Sequence, residues 1–419
     1  MLVWLVQRAE PTPIDNNGKQ RLMRTGIFAK VLAAENHEVV WWTSSYDHHN
    51  HCHRFDNDKR VVVGDGYEIQ FLKSSGYKKN ISLARLKDNI NLAKRFKTIA
   101  DKEQKKPDII IASVPTAELA LEATQYGKKY NIPVILDVRD LWPDVLKAHV
   151  PWWARPFANL ILLPMTLATK QAFSNADSVI GITKEFVEWG LRYGDRRLSA
   201  NDLAFGMGYL KRKLLDDEQD KGKMFWESAG LMPYDNKLKI VFFGTLGHMF
   251  DFNPIIEAAK ILDTKNSQVQ IIICGDGESS SLIKEEVKNL SNIIMPGWIG
   301  DLEIRTLIEY ADIGLAPYID CLNFTNNIAN KPAEYLSGGL PIALSFNHGV
   351  LFNLLEKNHC GFSYQNNGVM LADFIQLYCD NRSLLKELSD NSYHVFRTYL
   401  DGDVIYRSMI DYCEKLAVK

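Results

Sequence analysis

The sequence is poor in cysteine, has no marked excess of charge of either sign and has no uninterrupted apolar run of transmembrane length. Its six cysteines are widely spaced and form no CxxC pair, which indicates reduced thiols and neither a zinc site nor a disulfide framework. The formal net charge of −2, from 49 Lys and Arg against 51 Asp and Glu, argues against a dedicated nucleic-acid-binding protein. The longest apolar stretch, residues 150–168, contains Arg155, Asn159 and prolines, so it does not predict a spanning helix.

The length and the hydrophobic pattern predict two globular domains. A chain of 419 residues is too long for one ordinary core, and a hydrophobic content of 46% is typical of a globular protein. The regular pattern breaks down between residues 191 and 237, and we place the boundary at residues 206–208. The predicted domains are therefore 1–207 and 208–395, followed by a terminal helix over 396–419 that packs back on the first domain.

Short apolar runs alternate with helical patterns in both halves, which predicts an α/β fold with doubly wound parallel sheets. The predicted strands cover residues 3–6, 39–42, 108–112, 134–137, 179–183, 239–243, 269–274, 293–295 and 313–318. A helix is predicted over 21–34, and Thr183 is placed to cap a helix that begins at Lys184. Sheets of this kind bind ligands in the loops at the carboxyl ends of their strands.

The stretch richest in chemistry is residues 330–343, which begins Asn330-Lys331-Pro332-Ala333-Glu334. Lys331 and Glu334 are three positions apart, so a helix would carry both on one side. A carboxylate suits a pair of sugar hydroxyls and a lysine suits an anion, and together they indicate a sugar nucleotide. The alternative is an ordinary surface ion pair.

Three glycine-containing loops follow predicted strands of the second half, at residues 244–247, 275–278 and 297–300. In the first of them, small residues would let backbone amides approach a diphosphate, although a tight structural turn is the alternative. In the second, Asp276 is a candidate ligand residue or the residue of an Asx turn. None of the loops has the spacing of a dinucleotide fingerprint, which disfavours an NAD(P)-dependent dehydrogenase.

Taken in order, these loops, the segment 311–318 and residues 331–341 resemble family 4 glycosyltransferases of the GT-B fold. In the first half, residues 41–44, 79–82 and 139–143 resemble the bacterial branch that builds O-antigen and capsule polysaccharides, including fucosamine transferases. The resemblance implies two Rossmann-like domains facing across a cleft. It also implies a retaining, metal-independent hexosyltransferase that uses no cofactor and takes a UDP-sugar as its donor substrate. The hexosyl units that it includes are N-acetylated or deoxy amino sugars as well as simple hexoses.

The resemblance also assigns residues to the donor. Glu334 matches the family glutamate that binds the ribose hydroxyls, whereas the family's first glutamate, eight positions earlier, is replaced by Asn326. Trp298 and Ile299 occupy the position that reads the base. The predicted donor-binding residues are Gly244, Thr245, Leu246, Gly247, Asp276, Trp298, Ile299, Asn326, Asn330, Lys331 and Glu334.

The catalytic assignment has to account for a departure from the family pattern. Many members place an Arg and a Lys after the glycine loop to neutralise the leaving diphosphate, but residues 248–252 contain neither. Lys331 is the predicted substitute, and Arg139 across the cleft is the second candidate. Asp140 or His149 could assist deprotonation of the acceptor, although retaining members need no strong enzymic base.

The resemblance implies that the first half holds the acceptor, a polyprenyl-diphosphate-linked saccharide at the cytoplasmic face of the inner membrane. The predicted acceptor-binding residues are Gly18, Lys19, Arg21, Arg139 and Trp142. Residues 73–106 contain eleven Lys and Arg against three Asp and Glu, which favours an anionic membrane or diphosphate, with a solvated helix as the alternative. Residues 150–168, headed by Trp152 and Trp153, predict either an interfacial segment or a buried helix.

Two other functions stay open at this point. A GT-B sugar-nucleotide 2-epimerase would bind the same donor without an acceptor, and a non-catalytic relative would retain the fold alone. The histidines at 48, 49, 51 and 53 are interpreted as a polar loop, and the motifs predict no metal site.

Overall fold

The computed structural model describes residues 1–15, 21–80, 82–148, 150–233 and 235–418, and these form two compact units. The first unit comprises Met1–Gly206 and Val404–Lys419, and the second comprises Met207–Asp403. The predicted terminal helix over 396–419 is thus divided between the two units. The predictions for Gly18, Lys19 and His149 lie outside the described residues.

The first unit is built on short strands that alternate with helices. Its strands are β1 Leu2–Val6, β2 Glu38–Ser44, β3 Tyr46–Asp47, β4 Cys52–His53, β5 Lys59–Gly64, β6 Tyr67–Leu72, β7 Ile109–Val114, β8 Val134–Val138, β9 Ser178–Gly181 and β10 Leu203–Ala204. Its helices are α1 Arg24–Ala34, α2 Leu83–Ala100, α3 Ala117–Tyr130, α4 Asp144–Ala148, α5 Arg155–Asn175 and α6 Lys184–Gly194.

In the described part of the first unit, eight strands form one sheet in the order β10-β9-β8-β7-β1-β2-β6-β5. Neighbouring strands are parallel except for β5, which runs antiparallel to β6. The central strands are buried on both faces because helices cover them, and Trp4 and Trp42 contact each other in this core at 4.7 Å between ring centroids. Strands β3 and β4 form a separate hairpin.

The second unit repeats this architecture in a smaller sheet. Its strands are β11 Leu238–Phe243, β12 Val269–Cys274, β13 Ile293–Gly297, β14 Ile313–Ala316, β15 Ile342–Leu344 and β16 Gly361–Ser363. Its helices are α7 Asp216–Ser228, α8 Asn253–Thr264, α9 Ser280–Val287, α10 Asp301–Tyr310, α11 Leu322–Thr325, α12 Asn330–Ser337, α13 Gly349–Asn358, α14 Gly368–Asp380 and α15 Arg382–Val395. Over its described residues, the sheet is parallel throughout and has the order β13-β12-β11-β14-β15-β16.

The carboxyl-terminal segment passes from the second unit, which ends at Asp403, back into the first unit. A π-helical turn over Phe396–Leu400 follows α15, and α16 spans Gly402–Ala417. In the first unit, Tyr406 of α16 stacks on Phe28 of α1 with 6.0 Å between ring centroids. This packing explains why the chain end belongs to the first unit.

The sequence-based prediction misses several elements and confirms others. A helix, α7, occupies part of residues 191–237, where the pattern had predicted no regular structure. Helix α1 begins at Arg24, three residues later than predicted. The predicted cap is confirmed, because the Thr183 hydroxyl accepts a hydrogen bond from the Phe186 amide at 3.3 Å.

Candidate functional site

The candidate donor site lies at the switch point of the second sheet. Strand β11 pairs with β12 on one side and with β14 on the other, so the loops after β11 and β14 diverge at their carboxyl ends. Open α/β sheets bind ligands in the crevice that such divergence leaves. The loop at residues 244–247 follows β11, and the segment that leads to α12 follows β14.

Two glycines let the first two loops approach closely. Gly244 and Gly275 have φ values of +140° and +136°, which residues with a Cβ atom rarely adopt. A Cβ on Gly275 would lie 1.8 Å from the carbonyl oxygen of Gly244. Gly275 is therefore required by the backbone contact between the two loops, and the positive φ of Gly244 also favours glycine.

The same contact determines which loop amides remain accessible to a ligand. The Gly244 amide donates to the Cys274 carbonyl at 3.0 Å, and the Leu246 amide donates to the Asp276 carbonyl at 2.9 Å. Within the described part of the chain, the amides of Thr245 and Gly247 have no hydrogen-bond acceptor. Alternate N–H groups of this loop are thus available for an anion, whereas the Leu246 side chain is buried in the core.

Lys331, in the first turn of α12, reaches the glycine loop. A Cβ on Gly244 would lie 2.5 Å from the Lys331 Cε, so the lysine passes directly over this glycine. The ammonium lies 4.6 Å from the ring centroid of Phe250 and 5.4 Å from that of Phe242. These aromatic rings hold the charge by cation–π attraction and keep water from one side of it.

Glu334 lies one turn further along α12 and is only 2% exposed, so it is not part of an ordinary surface ion pair. Its carboxylate is close to the phenol of Tyr318. Burial, and secondly the Glu334 charge, raise the pKa of Tyr318. Tyr318 stacks on Phe324 with 4.2 Å between ring centroids, which gives this side of the site an aromatic wall.

The other predicted donor residues differ in what they offer a ligand. The Asp276 carboxylate accepts hydrogen bonds from the Ser280 hydroxyl at 2.7 Å and the Gly277 amide at 2.8 Å, and these bonds lower its pKa. Asp276 therefore supports a local turn, which is the alternative that the sequence left open. Trp298 follows β13 and is exposed, whereas the Ile299 side chain is buried.

The two asparagines lie at either end of the segment between α11 and α12. Asn326 directly follows α11, and its amide donates to the Leu322 carbonyl at 3.2 Å. Asn330 is the exposed first residue of α12.

In the first unit, Arg139 belongs to a buried ion network. Its guanidinium donates to the Asp137 carboxylate at 2.8 Å, to the Thr25 hydroxyl at 2.7 Å and to Glu10. Arg24 contacts the same Asp137 at 3.1 Å. Although burial opposes it, Arg139 and Arg24 hold the pKa of Asp137 below its ordinary value. This geometry gives Arg139 a role in holding the unit together.

A second group of side chains lies at the carboxyl ends of the first sheet's strands, and the sequence-based site prediction largely missed it. We call it the first-unit polar cluster. It consists of Arg8, His48, Tyr77, Arg85, Asp88, Glu118, Asp140 and Trp142. Each residue alone carries a weak signal, but Arg8 and Asp140 lie two residues after β1 and β8. The order of those strands in the sheet brings them together.

Two arginines organise the first-unit polar cluster. Arg8 is buried and pairs with Asp88 at 2.6 Å, while the Arg85 guanidinium lies 4.4 Å from the Trp142 ring and 5.5 Å from the Tyr77 ring. Asp140 interacts electrostatically with Arg85. The structure thus brings Asp140 and Trp142 together, whereas Arg139 lies in the buried ion network and Arg21 is exposed just before α1.

Burial also changes the acid–base behaviour of this cluster. His48 Nδ1 is 2.6 Å from the Tyr77 hydroxyl, and burial, followed by the Arg85 charge, lowers the pKa of His48 to about 4. Burial raises the pKa of Glu118, which stands at the start of α3. The described residues contain no group of three or more His, Cys, Asp or Glu that could hold a metal ion.

Comparison with known proteins supports the architecture. Residues 227–395 match the profile of the family described as glycosyl transferases group 1. No curated protein sequence matches the chain significantly. Among the described helices, none is long and apolar enough to cross a membrane.

Several solved structures are similar over almost the whole chain. Anabaena Alr3699/HepE in complex with UDP and glucose is 14% identical with a TM-score of 0.64, covering 99% of this chain and 100% of that one. Sucrose-phosphate synthase (tll1590) from Thermosynechococcus elongatus is 14% identical with a TM-score of 0.67, covering 99% and 98%. WaaG, a glycosyltransferase involved in lipopolysaccharide biosynthesis, is 12% identical with a TM-score of 0.61, covering 98% and 99%. The chain therefore has the GT-B fold, and its candidate donor site lies within the segment that matches the glycosyl transferases group 1 family.

Proposed function

We propose that the protein is a retaining glycosyltransferase that moves a hexosyl unit from a UDP-sugar to an acceptor hydroxyl. The observation that carries this proposal is the position of the Lys331 ammonium beside the Gly244 loop, with the buried Glu334 on the same helix. A cation and accessible amides at one strand end suit a diphosphate. A buried carboxylate one turn away suits a pair of hydroxyls.

In this proposal each side chain has a separate task. The amides of Thr245 and Gly247 bind phosphate oxygens, Glu334 binds the ribose hydroxyls, and the exposed Trp298 stacks on the base. The bond between the anomeric carbon and the diphosphate oxygen breaks as the acceptor oxygen bonds to that carbon. The leaving diphosphate keeps the electron pair of the broken bond, and one of its oxygens takes the proton of the acceptor hydroxyl. Lys331 stabilises the negative charge that develops on the diphosphate.

The proposed chemistry needs no metal ion, because Lys331 and the loop amides supply the positive charge that the leaving group requires. UDP is the nucleotide favoured here because structures of the similar Anabaena protein contain UDP or UDP-glucose. The donor sugar stays within the hexoses, including N-acetylated and deoxy amino sugars.

We further propose that the acceptor is a lipid-linked saccharide at the cytoplasmic membrane face, in surface polysaccharide synthesis. The first-unit polar cluster is the proposed acceptor site, with Arg85 facing an acceptor phosphate and Asp140 beside it. This assignment is supported by the excess of basic residues over 73–106, a segment that includes α2 and Arg85.

Titration calorimetry with UDP, followed by a thermal-shift panel of nucleotide sugars, tests the proposal. We expect binding of UDP and a rise in melting temperature with the correct donor. Absence of binding at millimolar UDP would contradict the proposal and favour a non-catalytic relative. If NMR instead shows that the protein epimerises the UDP-sugar in the absence of an acceptor, the protein is a 2-epimerase.

A further inference from the structure

Helix α5 of the first unit has apolar side chains on two sides, and only one side is buried. Its inward side chains pack with α3 in a cluster that includes Leu162, Met165 and Ala168. A helix that is apolar all round is normally enclosed by protein or lies in lipid. We therefore expect another surface to cover the second apolar side of α5.

The second side, together with the short turn over Trp152–Ala154 that precedes α5, exposes large apolar side chains, which we call the α5 surface patch. It consists of Trp152, Trp153, Phe157, Leu160, Ile161 and Leu167. Trp152 is 79% exposed, Phe157 69% and Leu160 70%. Contiguous apolar surface of this kind marks an interaction site, whereas scattered exposed residues do not.

The charges around the α5 surface patch indicate what the partner is. Residues 145–176 contain no Asp or Glu, and their basic residues are Lys147, Arg155 and Lys170. A second copy of the chain would bring the same positive charges together without counter-charges. An anionic lipid surface would attract them, and two tryptophans at the head of the helix suit the headgroup region.

We propose that the α5 surface patch docks the protein on an anionic phospholipid bilayer, with α5 lying in the interface plane. The apolar side chains enter the boundary between headgroups and acyl chains, and Arg155 and Lys170 contact the phosphates. The helix does not cross the membrane.

This docking connects the membrane to the proposed acceptor site. Trp142 packs against the cluster on the buried side of α5, and its ring also contacts the Arg85 guanidinium. Trp142, itself a member of the first-unit polar cluster, therefore contacts both the buried side of α5 and Arg85. The link to the acceptor rests on the proposed function, whereas lipid binding itself does not.

Co-sedimentation of the full chain with vesicles tests the proposal. We expect binding to vesicles of equal parts phosphatidylglycerol and phosphatidylcholine, weaker binding to phosphatidylcholine alone, and a decrease with salt. Leu160→Ser should lower the partition coefficient by about tenfold, because one large apolar side chain leaves the interface. Lys170→Glu should lower it by about tenfold on the anionic vesicles only.

Leu282→Ser is the matched control, because Leu282 is 67% exposed on α9 in the other unit. It should leave the partition coefficient unchanged. Failure of the unmodified protein to sediment with anionic vesicles, or equal binding by the two serine variants, would overturn the proposal. So would a dimer that forms without vesicles and is abolished by Leu160→Ser in sedimentation velocity.

Calorimetry with UDP on the same preparations separates the two proposals. Both serine variants should bind UDP as the unmodified protein does. Vesicle binding without UDP binding would overturn the proposed function but support the docking surface. UDP binding without vesicle binding would overturn the docking surface but support the proposed function.

Discussion

The two units share a doubly wound architecture but use the carboxyl ends of their strands differently. In the second unit, glycine loops pack backbone against backbone and leave alternate amides accessible beside one lysine. In the first unit, the corresponding region is filled by buried ion pairs, such as Arg8 with Asp88 and Arg139 with Asp137. The same sheet geometry thus accommodates accessible backbone amides in one unit and a network of charged side chains in the other.

The difference shows how each unit obtains polarity at a strand end. The direction of a backbone amide is set by the local backbone conformation, so the second unit needs glycines that permit this conformation and the close approach of the loops. Buried side-chain charges are costly to desolvate and persist only when each has a partner. We therefore expect mutations in the first unit to act mainly on stability, and mutations in the second unit to act mainly on ligand binding and turnover.

The largest expected effect is on the first unit's ion network. Asp137→Ala leaves Arg24 and Arg139 buried without their shared counter-charge, and we expect the free energy of unfolding to fall by about 3–5 kcal/mol. Urea denaturation followed by tryptophan fluorescence measures the change. Glu38→Ala is the control, because it breaks an exposed pair with Lys105 and should cost less than about 1 kcal/mol. Equal losses in the two variants would contradict a stabilising role for the network.

The sharpest functional contrast is expected at Lys331. In the proposed reaction, Lys331→Ala removes the preorganised charge that stabilises the leaving diphosphate, and kcat should fall by ~10²-fold or more. Steady-state kinetics with the best donor from the thermal-shift panel measures it. Lys260→Ala, which removes an exposed lysine of α8, should leave kcat unchanged. An unchanged kcat in Lys331→Ala would show that another group neutralises the diphosphate.

Gly244→Ala tests whether the loop and Lys331 form one site. The new methyl group would meet the Lys331 side chain, so we expect UDP affinity to fall by about tenfold and stability by ~1–3 kcal/mol. Gly230→Ala is the matched control, since Gly230 also has a positive φ but no atom near its Cβ position. It should lose stability and keep UDP affinity. A similar loss of affinity in both would separate Lys331 from the loop.

The smallest expected effect concerns His48. Its folded pKa of about 4 lies below the ordinary value of 6.5, so the unfolded chain binds the proton first as the pH falls. The free energy of unfolding therefore keeps its full value above pH 6.5. It falls by roughly 1–3 kcal/mol between pH 6.5 and 4. His48→Gln should reduce this loss in urea titrations at several pH values. The control His394→Gln, at an exposed position, should show the unmodified dependence.

Much of the second unit's site could be anticipated because its signals are local. A glycine loop after an apolar run, and a lysine and glutamate three positions apart, are visible in short windows of sequence. The helix of residues 330–337 and the order of the strands then bring these windows together. The first-unit polar cluster could not be anticipated in this way, because Arg8 and Asp88 are 80 residues apart and neither belongs to a motif.

The sequence by itself determined the fold class, because the alternation of apolar runs and helical patterns permits few other architectures. It also determined the loops at the second sheet's strand ends. Only the tertiary structure decided that Lys331 lies over Gly244 beside two aromatic rings, that Arg139 pairs with Asp137 and Glu10, and that one side of α5 is exposed. The physical reason is that partners and burial depend on contacts between distant segments, which local patterns do not specify.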